Sequence, residues 1–415
     1  MTNGNYQYSL VEKLSFVRYG GTAAELKAAE ILLEEIEKIG GKGEIMEFTV
    51  PAFDIHRCEM SVVSPWEKTI ACAPFGLGGD FPQGIGLRPY YASRGVEADY
   101  VGMDSLEGCL VMLDNLTPEA YKLMLEKKAS AFAVIQCMHY DEGAAEDLYS
   151  RPLRPKFLKH GRLPGFVITS SDATEIIRGG AEKIHIVTQL SETRHISRDV
   201  LAFIPGTHSC GEEVVVTAHY DSVPTGRGSW DNATGSATIM WLYKHFLENP
   251  PRRDMRFIWC GSEEQGLLGA RAFIEQRSDE AEKIRFCFNF DMCGTILGPN
   301  NVFVTGTKEL EDFAELFCKE QGYSAQFRKG VHSSDSAPFA DCGVPGIGLS
   351  RGTQTSEIHT SRDTMFPLGD KQLRMNIDFA NKMISRVVNS AVLPVEKGMP
   401  DNIKKELDKY FQRDK

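Results

Sequence analysis

The chain has 415 residues, of which 42% are hydrophobic and 25% are charged, a composition typical of a globular enzyme. Its net charge of −11 argues against a nucleic-acid partner, because phosphate binding needs a basic surface, and no stretch approaches the ~18 apolar residues of a membrane-spanning helix, so no membrane partner is expected. Because the segment Met1–Glu12 lacks the apolar core of a secretory signal and the ten cysteines form no CxxC pair, we expect a cytoplasmic protein with reduced thiols.

The start of the chain predicts a helix followed by a strand. Thr22 and Glu25 have the spacing of a capping box, and apolar side chains recur at helical spacing from Leu26 to Ile36. The pair Gly40-Gly41 ends this helix, and Glu44–Val50 has the composition of a strand.

From Pro51 to about residue 190 the sequence consists of short apolar runs broken by Gly and Pro, which predicts a small β-rich module. Pro118–Lys128 is the one convincing helix of this region. The basic stretch Arg151–Arg162 is interpreted as a solvated surface, with contact to a substrate carboxylate as the alternative.

After Asp199, predicted strands and helices alternate, which indicates an α/β domain with a largely parallel, buried sheet. The predicted strands are Val200–Ile204, Val214–Ala218, Phe257–Cys260, Phe286–Phe290, Val302–Val304 and Gly346–Leu349. The predicted helices are Ala233–Leu247, Leu267–Gln276, Glu309–Glu320 and Lys371–Val388.

Residue types that bind metals follow several of these strands, at the end where α/β folds place active sites. The strand Val214–Ala218 runs directly into His219, and Asp221 projects to the same side of an extended chain. His219 is therefore a candidate ligand and Asp221 a candidate partner for its second ring nitrogen. Asp231 precedes a helix, where it is either an N-cap or a carboxylate placed to bridge two cations.

Two adjacent acids, Glu263 and Glu264, follow the strand that ends at Cys260. Adjacent side chains on a regular backbone cannot both point at one metal, so we interpret one as a ligand and the other as a proton acceptor. The alternative is a pair of exposed acids at the start of a helix, which the helix dipole favours.

Asp291 ends the apolar strand Phe286–Phe290, and an acid at so buried a position needs a partner such as a metal. His359 and Asp363 lie on a loop after the last predicted strand. No HExxH motif and no cysteine-based zinc pattern occurs. Five candidate ligands at successive strand ends together predict a metal centre.

These segments resemble the di-zinc aminopeptidase family that includes aminopeptidase Y, aminopeptidase S and the glutaminyl cyclases. The likeness covers residues 195–390 and the first helix. The matching motifs are Ala218-His219-Tyr220-Asp221-Ser222, Trp230-Asp231-Asn232-Ala233-Thr234-Gly235, Glu263-Glu264-Gln265-Gly266-Leu267, Asn289-Phe290-Asp291-Met292-Cys293-Gly294, Ser333-Ser334-Asp335-Ser336-Ala337-Pro338-Phe339 and His359-Thr360-Ser361-Arg362-Asp363-Thr364.

The resemblance implies two zinc ions per chain, although carboxylate-rich sites also accept Mn or Co. It assigns five ligands: His219 and Asp291 on one zinc, Glu264 and His359 on the other, and Asp231 between them. It makes Glu263 the general base and gives Asp221 the role of orienting His219.

The resemblance also implies a mixed, largely parallel sheet flanked by helices, formed by residues 1–50 and 191–415 as one discontinuous zinc peptidase domain. Residues 51–190 resemble a protease-associated domain inserted into it, and Leu106–Val111 and Ala129–Gln136 carry that likeness.

Two positions depart from the family pattern. Ile358 stands where many relatives have a tyrosine that stabilises the oxyanion, and Ser336 stands where the family has the histidine of a Ser-Asp-His segment. Neither position is a ligand, so the departures concern the substrate pocket.

The predicted function is removal of the N-terminal residue from peptides with a free N-terminus, by a water that two zinc ions activate. The alternatives are a glutaminyl cyclase or a carboxypeptidase on the same scaffold, or a catalytically inactive binding protein. An inactive protein would be expected to have lost ligands or the base, whereas all five ligands and Glu263 are present.

Overall fold

The computed structural model describes four segments of the chain, residues 6–136, 147–208, 211–352 and 357–413. The first five residues of Met1–Glu12 lie outside them. The chain forms two compact units, one made of Met1–Val50 with Ile196–Lys415 and the other of Pro51–His195. The sequence places the corresponding boundaries after residues 50 and 190.

The strands are β1 (Gly43–Ser64), β2 (Lys68–Thr69), β3 (Cys72–Gly76), β4 (Ile85–Tyr91), β5 (Cys109–Leu113), β6 (Ala131–Gln136), β7 (Arg151–Pro152), β8 (Gly165–Thr169), β9 (Lys183–Ile204), β10 (Glu213–His219), β11 (Asp254–Cys260), β12 (Ile284–Phe290), β13 (Asn300–Thr305), β14 (Ala325–Lys329) and β15 (Gly346–Arg351).

The helices are α1 (Tyr6–Leu14), α2 (Ala23–Lys38), α3 (Pro118–Glu126), α4 (Pro155–Leu158), α5 (Ser170–Arg178), α6 (Thr234–Glu248), α7 (Leu268–Gln276), α8 (Ser278–Ala281), α9 (Lys308–Glu320), α10 (Ser336–Asp341), α11 (Asp370–Val388) and α12 (Asp401–Tyr410). Among the described residues, no helix has the combination of length and apolarity needed to cross a bilayer.

The larger unit contains a mixed sheet with the strand order β14-β13-β15-β12-β10-β11-β9. At its centre, β10 is parallel to β11 and β12, and β12 is parallel to β15. Toward the edges, β9 is antiparallel to β11 and β13 is antiparallel to β15. The parallel centre brings the carboxyl ends of four strands to one edge of the sheet.

Strand β10 is buried at all its positions because helices cover both faces of the sheet. Val214 and Val216 pack into the core cluster that contains the buried side chains of α6 and α11. Val215 points the other way, into the cluster that contains Phe273 of α7 and Phe339 of α10. A mainly apolar run with side chains buried on both faces therefore marks a central strand.

The first predicted helix is α2. The hydroxyl of Thr22 accepts a hydrogen bond from the backbone N–H of Glu25, as the predicted cap requires. The Glu25 carboxylate accepts from the N–H of Gly21. The sequence did not predict α1, whose Leu10 and Leu14 are fully buried in the core.

In the smaller unit, β5 and β6 are parallel to each other and fully buried apart from Gln136. The sequence predicted one helix here, whereas the structure also contains α5 and the short α4. Thr169 caps α5 by accepting from the N–H of Asp172. The polar start Ser170-Ser171-Asp172 is typical of a turn as well as of a helix N-terminus, which explains the missed helix.

The basic stretch Arg151–Arg162 of this unit is only partly a solvated surface. Arg162 is exposed and forms an ion pair with Glu192. Arg151 instead stacks on the ring of Phe75, and Lys156 lies over the ring of Phe157, both partly buried. The side chains of this stretch thus have different environments.

Candidate metal centre

The candidate residues meet at the carboxyl edge of the parallel strands. His219 is the last residue of β10 and lies opposite Cys260, the last residue of β11. Glu264 follows β11 and Asp291 follows β12 directly. In a parallel sheet these strand ends share one edge, so the side chains converge although they are far apart in sequence.

Three of the candidates form a first ligand group of His219, Asp231 and Asp291, all buried. The Nε2 atom of His219 lies 3.1 Å from Asp231 Oδ1 and 3.5 Å from Asp291 Oδ1. One imidazole nitrogen therefore faces two carboxylates, although it carries at most one proton.

A second ligand group consists of Asp231, Glu264 and His359. The Nε2 atom of His359 lies 3.3 Å from Asp231 Oδ2 and 3.1 Å from Glu264 Oε2. Asp231 thus offers one oxygen to each group. The structure brings together all five residues that the sequence singles out as ligands.

The donor atoms fit divalent cations with nitrogen and oxygen ligands. Atoms bound about 2.0–2.2 Å from one tetrahedral zinc lie roughly 3.3–3.6 Å apart, close to the separations observed here. Asp291 Oδ1 is buried and makes no hydrogen bond among the described residues, with His219 Nε2 3.5 Å away, so a bound cation would satisfy it. Imidazole and carboxylate ligands suit zinc and also Mn or Co.

A chain of hydrogen bonds holds Asp291 in place. Its Oδ2 accepts from the Ser334 hydroxyl at 2.7 Å, and Ser334 accepts from Asn289 Nδ2 at 2.7 Å. The Thr217 hydroxyl donates to Asn289 Oδ1 at 2.7 Å. The other oxygen of Asp291 stays directed at His219. The sequence analysis gives no role to Thr217 or Asn289. The feature that could have identified them is a polar side chain within an otherwise apolar strand.

Asp221 holds the acid pair as well as His219. Its Oδ1 accepts from the N–H of Glu263 at 3.0 Å, and its Oδ2 accepts from the N–H of Glu264 at 3.3 Å. Oδ1 also lies 3.5 Å from Nδ1 of His219. One buried carboxylate therefore fixes the backbone that carries Glu264 of the second ligand group and lies beside His219 of the first.

Asp363 fixes the turn that carries Asp231. Its two carboxylate oxygens accept from the N–H groups of Trp230 and Asp231, at 2.7 and 3.0 Å. Helix α6 begins at Thr234 without a side-chain cap. The N-cap interpretation of Asp231 is therefore wrong, because its carboxylate points at the two histidines.

Arg18 is a further structural residue of the site that the sequence did not reveal. Its buried guanidinium donates to five backbone carbonyls, those of Leu14, Phe16, Tyr220, Arg227 and Gly228. It thereby ties the segment after α1 to the loop between His219 and Asp231. An isolated arginine in a short connection carries no sequence signal for this role.

Burial and crowding of acids shift the ionisation of the site. Burial raises the pKa of the Glu263 carboxyl well above its ordinary value; His219 opposes this shift, and Glu264 adds to it. Burial opposes the charged form of His219, but Glu263 and the neighbouring carboxylates still raise its pKa well above the ordinary value. Such an excess of buried negative charge favours a bound cation.

Several residues beside the ligands have backbone angles that side chains rarely adopt. Ser262, Met292 and His359 have φ of 52°, 60° and 60° in the left-handed region. A non-glycine residue held in that region destabilises the fold by about 1–3 kcal/mol, and such residues cluster at functional sites. Their position next to Glu263, Asp291 and in the His359 loop marks this edge as specialised.

The two departures from the family pattern are Ile358 and Ser336. Ile358 is partly buried and packs against the apolar core, and its aliphatic side chain offers no hydroxyl to a substrate. Ser336 is buried at the start of α10, directly after Asp335. Asp335 is fully buried, and neither of its oxygens has a hydrogen-bond partner among the described residues. Burial raises the pKa of Asp335 to about 7.

Comparison with known sequences connects this site with peptidases. Residues 199–383 match peptidase family M28. The chain is 24% identical to aminopeptidase YwaD of Bacillus subtilis (strain 168), over 97% of this chain and 87% of that protein. It is 29% identical to leucine aminopeptidase 2 of Trichophyton rubrum, over 44% of this chain and 39% of that protein.

Solved structures share the fold at low identity. A zinc aminopeptidase from Bacillus subtilis superposes with a TM-score of 0.77 at 21% identity, over 96% of this chain and 98% of that one. An aminopeptidase from Aneurinibacillus sp. strain AM-1 gives 0.73 at 18%, over the same shares. A glutaminyl cyclase from an Acidobacteriales bacterium gives 0.51 at 15%, over 93% and 94%. These findings confirm the predicted fold class and the family resemblance.

Proposed function

We propose that this chain, whose residues 199–383 match peptidase family M28, is a zinc aminopeptidase that removes the N-terminal residue from peptides with a free N-terminus. The observation that carries the proposal is the pair of ligand groups that share Asp231. Each group supplies one imidazole and two carboxylates, so the chain has donors for two zinc ions.

In this proposal His219 and Asp291 hold one zinc, Glu264 and His359 hold the other, and Asp231 contributes to both. When bound, zinc supplies Lewis-acid activation of the attacking water and of the scissile carbonyl. The chain's own contribution is to keep these ligands fixed: Asp221 and Asp363 accept hydrogen bonds from the backbone on either side of the site.

Glu263 is proposed as the general base. It belongs to neither ligand group, whereas its neighbour Glu264 belongs to the second, which supports a division of roles between the two acids. Its half-buried position and raised pKa suit a carboxyl that takes a proton from the attacking water and gives it to the leaving amine.

The second ligand group is proposed as the side from which substrate approaches. The His359 side chain is 42% exposed, whereas the His219 side chain is 2% exposed. His359 is thus the more accessible of the two histidine ligands, which supports approach of the substrate from the side of the second ligand group.

Amino-acid release from one peptide in unblocked and N-acetylated forms tests the proposal. We expect release from the unblocked peptide only, and its loss when a chelator removes the metal. Equal cleavage of the two forms would rule out recognition of a free N-terminus. Ammonia release from an N-terminal glutamine peptide without hydrolysis would favour the cyclase alternative.

Replacement of the base separates metal binding from chemistry. The Glu263→Gln variant is expected to keep its zinc content and to lose hydrolysis by about 10²–10⁴-fold, the usual contribution of a general base. The matched control is Glu275→Gln, an exposed acid of α7, which should hydrolyse at the normal rate. A Glu263 variant with normal turnover would refute the assignment.

The smaller unit, Pro51–His195, is proposed to be a protease-associated domain, and the protein to be cytoplasmic. The first proposal rests on the segments Leu106–Val111 and Ala129–Gln136, which include the adjacent parallel strands β5 and β6. The second rests on the ten cysteines, which form no CxxC pair and fit the reduced thiols of a reducing compartment. Cell fractionation with an antibody to the chain tests the location directly.

A further inference from the structure

Two cysteine thiols lie in contact in the smaller unit, which contains none of the ligand residues. Cys58 on β1 and Cys72 at the start of β3 have sulfur atoms 3.5 Å apart. Both are free and partly exposed. The other described cysteines are Cys109, Cys260, Cys287, Cys293 and Cys318, which are buried, and the exposed Cys342.

Strand pairing explains why the two thiols meet. The antiparallel register matches Ser61 with Thr69 and Val62 with Lys68, and the N–H of Ile70 donates to the carbonyl of Met60. Cys58 lies two residues before Met60 on one side of this pairing, and Cys72 lies two residues after Ile70 on the other. The chain thus keeps the two side chains beside each other, and their sulfur atoms are in contact at 3.5 Å.

The surroundings differ for the two sulfurs. A hydrogen bond from the Cys72 thiol lowers the pKa of Cys58, although burial acts in the opposite direction. The same contact raises the pKa of Cys72, as do its burial and the nearby Asp172. Cys58 is therefore the thiol that ionises first, and the thiolate is the attacking species in disulfide exchange.

We propose that Cys58 and Cys72 form a reversible redox site, in which a low-molecular-weight disulfide oxidises the two thiols to an intramolecular disulfide. The Cys58 thiolate attacks one sulfur of the oxidant, and one oxidant thiol leaves and takes up the Cys58 proton. The Cys72 sulfur, on losing its proton, then attacks the Cys58 sulfur of this mixed disulfide, and the second oxidant thiol leaves. The protein loses two hydrogen atoms, and the oxidant is reduced to two thiols.

The disulfide would close a hairpin that is docked on helix α5. Trp66 Nε1 donates to the carbonyl of Gly179 at 3.0 Å, and Lys68 pairs with Asp172 at 2.9 Å. Lys68 also pairs with Glu175. Cross-linking the ends of the segment 58–72 restricts the unfolded chain and holds this docked hairpin together.

Peptide mapping after treatment with oxidised glutathione tests the proposal on the zinc-loaded full chain. Trypsin cuts after Arg57 and Lys68, so the two cysteines fall in different peptides. We expect a peptide beginning at Cys58 linked to one beginning at Thr69, two fewer thiols among the ten, and loss of the linkage with a reductant. Both cysteines remaining alkylatable, or only glutathione adducts, would overturn the proposal.

Three variants keep this test specific. Cys342→Ser removes the exposed single thiol and should leave the linked peptides unchanged. Cys58→Ser and Cys72→Ser should each abolish the linkage while peptide hydrolysis continues at the normal rate, which shows that the variants fold. In these variants the remaining cysteine could instead form a disulfide with a different cysteine. If that happened at the same yield as in the original pair, Cys58 and Cys72 would not be a specific redox site.

Discussion

Asp231 is the residue on which the proposed site depends, because each of its carboxylate oxygens faces a different histidine. The sequence predicts Asp231 as a ligand because an acidic residue follows a glycine-rich loop there. The sequence does not predict the residues that support the ligands, because Ser334, Asn289 and Arg18 belong to residue types with many ordinary roles. Their function follows from contacts across the fold, which a single sequence does not display.

The hydroxyl of Ser334 is expected to control metal affinity through Asp291. In Ser334→Ala, Asp291 Oδ2 loses its hydrogen bond, and loss of such a supporting contact typically lowers affinity by ~10–100-fold. Competition with a chelator measures the change. Ser333→Ala is the matched control, because Ser333 bonds Tyr410 instead of a ligand; equal affinity in both variants would contradict the role of Ser334.

Arg18 is expected to matter for stability because its guanidinium is fully buried and donates to five backbone carbonyls. Lysine at this position has three donors in a different arrangement, so Arg18→Lys should lower the free energy of unfolding by about 3 kcal/mol, more than one lost hydrogen bond. Urea unfolding measures the loss. Arg227→Lys, at an exposed position, should change stability by less than about 0.5 kcal/mol.

Glu25 gives a prediction for the pH dependence of stability. Burial raises its pKa in the folded protein to about 7, above its ordinary value of 4.5, although hydrogen bonds to Ser197 and Gly21 act against the shift. The folded state then binds more protons than the unfolded chain between these values, so stability from this group is present below pH 4.5 and is lost as pH rises toward 7.

Unfolding of the wild type and Glu25→Gln, both in excess chelator at pH 5 and pH 7, isolates this contribution. Glutamine does not titrate, so the variant should lose less stability than the wild type as pH rises. An equal or steeper loss in the variant would show that the Glu25 carboxyl is not responsible.

At the scale of elements, the long apolar strands were predicted well and the short amphipathic elements were not. The fully buried β10 is mainly apolar because helices cover both its faces. By contrast, α1 and α12 owe their structure to packing on the rest of the unit, and β14 owes its structure to pairing with β13. Helix α12, for example, has only Ile403 and Leu407 buried, which is too weak a pattern to identify in advance.

The whole molecule consists of two compact units, and the described site lies within one of them. All five candidate ligands belong to the unit made of Met1–Val50 and Ile196–Lys415. The boundary at Pro51 could be predicted because the composition of the sequence changes there, and a single sequence shows its composition directly. A cytoplasmic location and a protease-associated role for the smaller unit remain predictions.

Zinc titration tests the two-metal aminopeptidase most directly. Chelator-stripped protein is titrated with zinc while amino-acid release from an unblocked peptide is followed. We expect two zinc ions to bind per chain, and Asp231→Ala to weaken both because both ligand groups use this residue. Full activity with one zinc per chain, or hydrolysis that continues without zinc, would contradict the proposed mechanism.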